Sequence, residues 1–336
     1  MIVVLRRNSP LSKREELILR LKALGITTHI SQGEQNTVIG LVGDTSKVDP
    51  DDLMALPYVE KVQRVSEPFK LANRQFHTAD TIVDISGVKI GGGSFTVIAG
   101  PCSVETEEQI VYTAKRVKAA GGKLLRGGAF KPRTSPYAFR GLKNEGIKLL
   151  EIAKKETGLP IVTELMSVEH LEFFDNVDVI QIGARNMQNF EMLTEIGKQK
   201  KPVLLKRGLA NTIEEWLMSA EYIMASGNEN VILCERGVRT FETALRNTYD
   251  LACIPFMQSL THLPIIADPS HASGKSSLIP ALSKATVAVG ASGIMIEVHP
   301  TPEKALCDGA QSIDCDTFDR VMTDIKKYAE IEGKTV

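Results

Sequence analysis

Positions 124–136 of the chain read Leu124-Leu125-Arg126-Gly127-Gly128-Ala129-Phe130-Lys131-Pro132-Arg133-Thr134-Ser135-Pro136. The apolar start is typical of the end of a buried strand, and the rest is a loop that carries cations and hydroxyl groups. Its glycines let the backbone come close to a ligand, and its prolines stiffen the loop. Guanidinium forks and ammonium point charges in a stiff loop suit phosphate. A merely solvated basic loop has no need of these glycines and prolines, so we predict an anion-binding loop after a strand.

The same pattern recurs over residues 94–336. Short segments rich in Val, Ile and Leu alternate with helical patterns, as expected for parallel strands that are buried on both faces. Eight such units in about 240 residues match a (β/α)8 TIM barrel. A doubly wound sheet is the alternative, but the chain has no glycine fingerprint for a dinucleotide. The predicted strands are Thr96–Ala99, Lys123–Arg126, Pro160–Thr163, Val179–Ile182, Val203–Leu205, Val231–Cys234, Pro264–Ala267 and Ile294–Val298.

Residues 1–70 have a different pattern and are predicted to form a separate ferredoxin-like domain. Their strand and helix signals follow the order βαββαβ. Ser12 and Glu15 have the spacing of a capping box for the first helix. Residues 71–93 are predicted to be a linker with a small hairpin that turns at Ser86-Gly87. The barrel then begins at residue 94.

Charge, hydropathy and cysteine content exclude several classes of protein. The 336 residues carry a formal net charge of −1, which gives no electrostatic reason to expect nucleic acid binding. The apolar runs are too short to span a membrane, and the N-terminal charges follow the first apolar run, which is the wrong order for a signal peptide. Five scattered cysteines favour a reducing, cytoplasmic compartment over a disulfide framework. We expect a cytoplasmic protein that acts on small molecules.

Polar and charged residues follow each of the eight predicted strands. Because the active site of a (β/α)8 barrel lies at the C-terminal ends of its strands, these residues are expected to meet at one mouth. One group is cationic and suits a phosphorylated or carboxylated small molecule: Arg126, Lys131, Arg133, Arg185, Lys206 and Arg236. A second group offers thiolate, imidazole and carboxylate ligands for a divalent transition ion: Cys102, His271, Glu297 and Asp308. Alone, Cys102 or His271 would be interpreted as a packed core residue, but together the four favour a metal.

Two mechanisms fit cations that lie beside such a ligand set. The cations would hold an anion in place while a metal polarises a carbonyl as a Lewis acid. Alternatively, Lys206 would form a Schiff base in a metal-free aldolase. The residue types leave both mechanisms open, and they do not separate zinc, iron, manganese and cobalt.

Residues 80–336 closely resemble the type I-beta group of 3-deoxy-D-arabino-heptulosonate 7-phosphate (DAHP) synthases. The related 3-deoxy-D-manno-octulosonate 8-phosphate synthases have Lys-Ala-Asn-Arg-Ser where this chain has Lys131-Pro132-Arg133-Thr134-Ser135, which favours a four-carbon aldose phosphate. Besides residues 124–136, the resemblance is carried by Ile98-Ala99-Gly100-Pro101-Cys102-Ser103, Ile182-Gly183-Ala184-Arg185-Asn186, Leu205-Lys206-Arg207-Gly208, Cys234-Glu235-Arg236-Gly237 and Asp268-Pro269-Ser270-His271.

The resemblance implies a condensation of phosphoenolpyruvate with erythrose 4-phosphate, the first step of the shikimate pathway. It implies a divalent ion (manganese, iron, cobalt or zinc) on Cys102, His271, Glu297 and Asp308. The expected catalytic residues are Cys102, His271 and Lys131, the last as a proton donor to the aldehyde oxygen. Phosphoenolpyruvate is expected on Arg126, Lys131, Ala184, Arg185, Lys206 and Arg236, and the aldose phosphate on Arg133, Thr134 and Ser135.

Residues 1–70 resemble the regulatory domain that is fused to some members of this group. This implies feedback inhibition by an aromatic amino acid, with His29 and Ser31 as expected effector contacts, and the resemblance also implies a homotetramer. Either Cys307 or Cys315 could pair with Cys102 on oxidation and expel the metal. The alternatives are an octulosonate synthase and a regulatory protein built on an inactive barrel; the complete ligand set argues against the second.

Overall fold

The computed structural model describes residues 1–33, 36–64, 67–131, 135 and 137–336. Two compact units are present. The first consists of Met1–Asp80 and Ser259–His262, and the second of Thr81–Gln258 and Leu263–Val336. Within the described ranges, no helix is both long and apolar enough to cross a membrane.

The first unit contains a four-stranded antiparallel sheet with the strand order β2-β3-β1-β4. Its element order is βαββαβ, as the sequence predicts. One face of the sheet packs on the first helix and the other face packs on Phe76. The elements are β1 (Ile2–Leu5), α1 (Leu11–Ala23), β2 (Thr27–Gln32), β3 (Thr37–Val42), α2 (Pro50–Met54) and β4 (Val59–Gln63).

The predicted capping box of α1 is wrong. The helix begins at Leu11 and its N-cap residue is Pro10, with an extended backbone (φ −59°, ψ 136°) and no side-chain cap. Ser12 therefore lies inside the first turn, where its backbone is helical and its hydroxyl cannot act as an N-cap. The extended proline starts the helix earlier than the Ser12–Glu15 spacing indicates.

The second unit begins with a hairpin of β5 (Val83–Ile85) and β6 (Val88–Ile90). Eight parallel strands then close a barrel in which β14 pairs with β7, and this confirms the predicted (β/α)8 fold. Hairpin residues share a buried core with inward-pointing residues of the strands, so one end of the barrel is covered and the other is open. The strands are β7 (Thr96–Gly100), β8 (Leu124–Arg126), β9 (Ile161–Glu164), β10 (Val179–Ile182), β11 (Val203–Lys206), β12 (Val231–Glu235), β13 (Ile265–Ala267) and β14 (Gly293–Glu297).

The helices lie between the barrel strands, and one differs from the sequence prediction. The pattern over 275–289 predicts a single helix, but Ser276–Leu278 form a 3-10 turn and the α-helix begins only at Ile279, with Pro280 in its first turn. The helices are α3 (Glu107–Ala120), α4 (Asn144–Thr157), α5 (Phe190–Gly197), α6 (Ile213–Ala225), α7 (Cys253–Leu260), α8 (Pro269–Ser273), α9 (Ile279–Ala288) and α10 (Cys315–Ile331).

Candidate active site

A cavity opens at the C-terminal ends of the barrel strands, where the sequence predicts the site. Its lining is strongly basic, because two described carboxylates, Glu164 and Asp308, face a larger set of cations. A field of this sign attracts anionic ligands. The cationic side chains in the described lining are Arg126, Lys131, Arg185, Lys206, Arg236, Arg239 and Arg246.

Most of the predicted substrate residues line this cavity. Ser135 is exposed and is not part of the described lining, and Arg133 and Thr134 lie outside the described residues. The sequence analysis missed Arg239 and Arg246, which follow Arg236 in the long segment between β12 and α7. Their closeness in sequence to a strand end was the available signal. The predicted residues that line the cavity are Arg126, Lys131, Ala184, Arg185, Lys206 and Arg236.

Arg126, at the end of β8, is buried but keeps a donor open. Its Nη1 donates to the Pro101 carbonyl at 2.7 Å and to Glu297 Oε1 at 2.9 Å, whereas its Nε has no partner among the described residues. Burial works to lower the pKa of this guanidinium, but the electrostatic interactions with Glu297 and Cys102 outweigh burial and raise the pKa. A permanently charged group with an open donor suits an anionic ligand.

Asp268 lies between two other predicted site residues. Its Oδ2 accepts a hydrogen bond from Lys206 Nζ at 2.5 Å and lies 2.8 Å from His271 Nδ1. Burial works to raise the pKa of Asp268, but its interactions with His271 and Lys206 hold it well below the usual range. The Nζ of Lys206 is thereby engaged in a buried ion pair, whereas Schiff-base formation needs an Nζ that is free to attack a carbonyl. This ion pair disfavours the metal-free aldolase mechanism.

The bond to Asp268 also orients the ring of His271. With Nδ1 turned to Asp268, Nε2 faces Glu297 Oε1 at 3.5 Å. Burial lowers the pKa of His271, so the ring is neutral. With its proton on Nδ1, the ring donates to Asp268, and Nε2 presents a lone pair to Glu297 Oε1. Two electron-rich atoms in that arrangement repel one another unless a cation lies between them. A carboxylate behind the ring is the usual support of a metal-bound histidine.

Three further predicted ligands come together beside His271. The ligand atoms of Cys102, Glu297 and Asp308 all lie within 4.8 Å of one another, and Cys102 Sγ is 3.4 Å from Asp308 Oδ2. Cys102 follows β7, Glu297 ends β14, and Asp308 lies farther along in a left-handed backbone conformation (φ 51°) that is uncommon for a residue with a side chain. His271 is not a member of this mutual cluster but contacts it through Glu297, and sulfur and oxygen donors with a nitrogen donor beside them fit a divalent transition ion.

The thiol of Cys102 is held between a second cysteine and a lysine. The hydrogen bond with Cys307, together with burial, raises the pKa of Cys102 well above its usual value. Lys131 Nζ lies 3.0 Å from both Cys102 Sγ and the Cys102 carbonyl, and its positive charge opposes that rise. An ion that binds here must therefore displace the thiol proton.

The contact with Cys307 leads to a prediction about oxidation. Cys315 begins α10, where Arg116 and Asp319 are its charged neighbours, so Cys307 is the better placed partner for Cys102. We expect mild oxidation of metal-free protein to produce a Cys102–Cys307 disulfide, detected by peptide mass mapping under non-reducing conditions. Cys307→Ser should prevent the disulfide and the matched control Cys315→Ser should not. Recovery of unpaired Cys102 after oxidation, or of Cys102 linked to Cys315, would contradict this expectation.

The predicted effector residues lie on one face of the sheet in the first unit. His29 pairs with Gly40 and Ser31 pairs with Val38 across the β2–β3 ladder, so both side chains share the face of Phe76. Phe76 packs so closely that a Cβ on Gly40 would lie 2.1 Å from the phenyl Cδ1. The His29 ring lies 6.5 Å from the ring of His77. The expected pair is therefore adjacent, with Ser31 buried and His29 half-buried.

Comparisons with known proteins show the family to which the chain belongs. Residues 28–331 match the model of the DAHP synthetase I family. A phospho-2-dehydro-3-deoxyheptonate aldolase of Thermotoga maritima is 49% identical over the whole of both chains, and a crystal structure with that name and source superposes with a TM-score of 0.80 over 100% of this chain and 98% of the other. A truncated form of the Thermotoga maritima DAHP synthase covers 79% of this chain (98% of its own) with a TM-score of 0.74. A 2-dehydro-3-deoxyphosphooctonate aldolase of a Geobacter species is 33% identical over 74% of this chain and 97% of its own length.

Proposed function

The chain belongs to the DAHP synthetase I family and is a DAHP-forming enzyme, and we propose that it joins phosphoenolpyruvate to erythrose 4-phosphate with the help of a divalent metal ion. One observation carries the proposal: a cation-lined cavity shares the barrel mouth with a cluster of sulfur and oxygen ligands, and His271 lies beside that cluster. This condensation is the first step of the shikimate pathway.

We propose that Cys102, His271, Glu297 and Asp308 hold the ion. Two observations support this assignment. The lone pair of His271 Nε2 faces a carboxylate oxygen of Glu297, and the donor atoms are of mixed type. When bound, a divalent ion would supply Lewis-acid activation of the aldehyde oxygen. The same four residues suit manganese, iron, cobalt or zinc.

The surrounding cations would bind and orient phosphoenolpyruvate. We propose that the anion is held by Arg185, Arg236, Lys206, Ala184 and the unpaired Nε of Arg126. Binding in this way would orient the enol carbon of phosphoenolpyruvate towards the aldehyde. Lys131 lies next to the ligand cluster and would donate a proton to the aldehyde oxygen as the carbon–carbon bond forms. Water then adds to the carbon that bears the phosphate, and inorganic phosphate leaves.

An assay of phosphoenolpyruvate consumption tests the proposal. The purified protein is given phosphoenolpyruvate with either erythrose 4-phosphate or arabinose 5-phosphate, in the presence and absence of a chelator. Consumption with the four-carbon sugar alone, abolished by chelation and restored by manganese, is expected. Consumption with the five-carbon sugar would favour the octulosonate synthase, and activity that survives complete chelation would remove the metal from the mechanism.

The raised pKa of Cys102 predicts how metal binding depends on pH. The metal-bound form is a thiolate, while the hydrogen bond with Cys307 and burial keep the free thiol protonated. Binding must then release one proton, so affinity should rise with pH, about tenfold per pH unit between about pH 7 and about pH 8.5. His271, whose pKa is lowered, is neutral throughout that range and adds nothing to the slope. Chelator-competition titrations measure it, and an affinity that stays flat would show that the free thiol is already ionised.

We propose that the first unit binds an aromatic amino acid at His29 and Ser31. Removal of residues 1–70 is expected to abolish inhibition by the amino acid and to leave turnover close to that of the full chain. The truncated Thermotoga maritima structure supports the use of such a variant. His29→Ala in the full chain is the milder companion and should weaken inhibition without affecting turnover. Inhibition that persists after truncation would place the effector site elsewhere.

We also propose that the enzyme is a homotetramer that works in the cytoplasm. Light scattering measures the oligomeric state.

A further inference from the structure

Gln311 is a buried polar residue that the proposed mechanism does not use. It ends the turn Gly309–Gln311, directly after Asp308, and its side chain is 2% exposed. Its Nε2 donates to Glu297 Oε2 at 2.6 Å, and its Oε1 accepts from Arg246 Nη1 at 2.5 Å. A carboxylate can only accept and a guanidinium can only donate, so these two neighbours fix the orientation of the amide.

Arg246 continues this chain of contacts to the second carboxylate. The same Nη1 that donates to Gln311 lies 3.4 Å from Asp308 Oδ1. Asp308 and Glu297 are thereby joined through one guanidinium and one amide, although Arg246 comes from the segment between β12 and α7. The backbone of Arg246 is itself held, because its N–H donates to the Ser273 carbonyl at 3.1 Å.

The contacts divide the oxygens of both carboxylates in the same way. In Asp308, Oδ1 faces Arg246 while Oδ2 lies beside Cys102 Sγ. In Glu297, Oε2 accepts from Gln311, while Oε1 faces His271 Nε2 and also accepts from Arg126 Nη1. In each group one oxygen contacts Arg246 or Gln311, and the other lies beside a further proposed metal ligand. Outer partners of this kind orient metal ligands, and their loss typically weakens metal affinity.

We propose that Arg246 and Gln311 form a positioning relay that holds Asp308 and Glu297 in place for the metal ion. The inference rests on the proposed metal site and adds two residues that do not touch the ion. Neither residue is a catalytic residue in this proposal. The relay acts by keeping two carboxylates from rotating, so its removal should weaken metal binding even where the fold is intact.

Gln311→Met is the first test, because methionine fills a similar volume and cannot make either hydrogen bond. Metal affinity is measured by competition with a chelator, using Mn²⁺ and Co²⁺ added to metal-free protein. We expect the affinity to fall about 10- to 100-fold. The Co²⁺ complex gives a second measure, since its thiolate charge-transfer and ligand-field bands report the coordination of the ion. These bands should shift when the carboxylates are no longer fixed.

Gln181→Met is the matched control. Gln181 is also buried, at 3% exposure, and its amide also donates to a carboxylate at the barrel mouth, Glu164 Oε2 at 3.4 Å, but that carboxylate is outside the ligand set. The control should keep the parent metal affinity and the parent Co²⁺ spectrum. Thermal unfolding of all variants without metal shows how much of any change comes from a weakened fold.

Arg246 provides a rescue experiment. Both of its contacts use a single nitrogen, so a lysine ammonium can replace them: Arg246→Lys should bind metal nearly as well as the parent, and Arg246→Met should match Gln311→Met. If the two residues act as one relay, the double variant should lose little more affinity than either single one.

The outcomes separate failure of the relay from failure of the metal site. A parent protein that binds neither Mn²⁺ nor Co²⁺ would remove the proposed metal function and the relay with it. A parent that binds metal, with Gln311→Met and Arg246→Met equal to it in affinity and spectrum, would overturn the relay alone. Losses that are additive, or that Gln181→Met shows equally, would also overturn it.

Discussion

Cys102→Ala is expected to lower kcat/KM about 1,000-fold or more, because Lewis-acid activation by a bound ion contributes several kcal/mol. The thiol lies among Asp308, Glu297 and Lys131, so its removal takes the soft ligand out of the cluster. Metal content after dialysis should fall together with activity. Both quantities are measured on the same preparation, by elemental analysis and by the phosphoenolpyruvate assay.

Cys234→Ala is the control for loss of a buried thiol. Cys234 is fully buried in β12 and belongs to the barrel core rather than to the ligand cluster. The cavity left in the Cys234→Ala variant should lower the free energy of unfolding by about 1 kcal/mol. The variant should keep the parent metal content. Full metal content and normal turnover in Cys102→Ala would show that the cluster is not the catalytic metal site.

The barrel could be predicted from the sequence because its signals are local. Strands buried on both faces need continuous runs of apolar residues, and residues such as Arg126 and Lys206 mark where those runs end. The parallel topology then brings the ends together without further information from the sequence. The start of α1 was predicted wrongly, although its signal is also local. The extended backbone of Pro10 determines where the helix begins, and the spacing of Ser12 and Glu15 does not.

The contacts between site residues could not be predicted in the same way. Arg246 and Asp308 are 62 positions apart, and only the folded chain shows that a guanidinium reaches both Asp308 and Gln311. Gln311 has no charge and no motif, so composition gives no reason to select it. The ion pair of Lys206 with Asp268 is a similar case: the sequence leaves Lys206 open as a Schiff-base lysine, and only the folded chain shows the contact that disfavours this alternative.

The surroundings of Lys131 set the pKa of its ammonium group and so decide at which pH it can donate a proton. Burial works to lower the pKa of Lys131, but the electrostatic interactions with Cys102 and Glu297 dominate and raise the pKa. The raised pKa keeps Lys131 protonated through the neutral range, so its ammonium group is available as a general acid. Activity should consequently fall as the pH rises through this pKa, because the donor loses its proton.

Lys131→Met should therefore reduce kcat by about 100- to 10,000-fold, the usual contribution of a general acid. The remaining activity should lack the fall on the alkaline side that the parent shows in its kcat–pH profile. Lys131→Arg separates charge from proton donation, because a guanidinium still attracts phosphoenolpyruvate but does not release its proton near neutral pH. It should keep a KM near that of the parent and share the low kcat of the methionine variant. Normal turnover in Lys131→Met would exclude the proton-donor role, and a full kcat in Lys131→Arg would show that Lys131 contributes its charge alone.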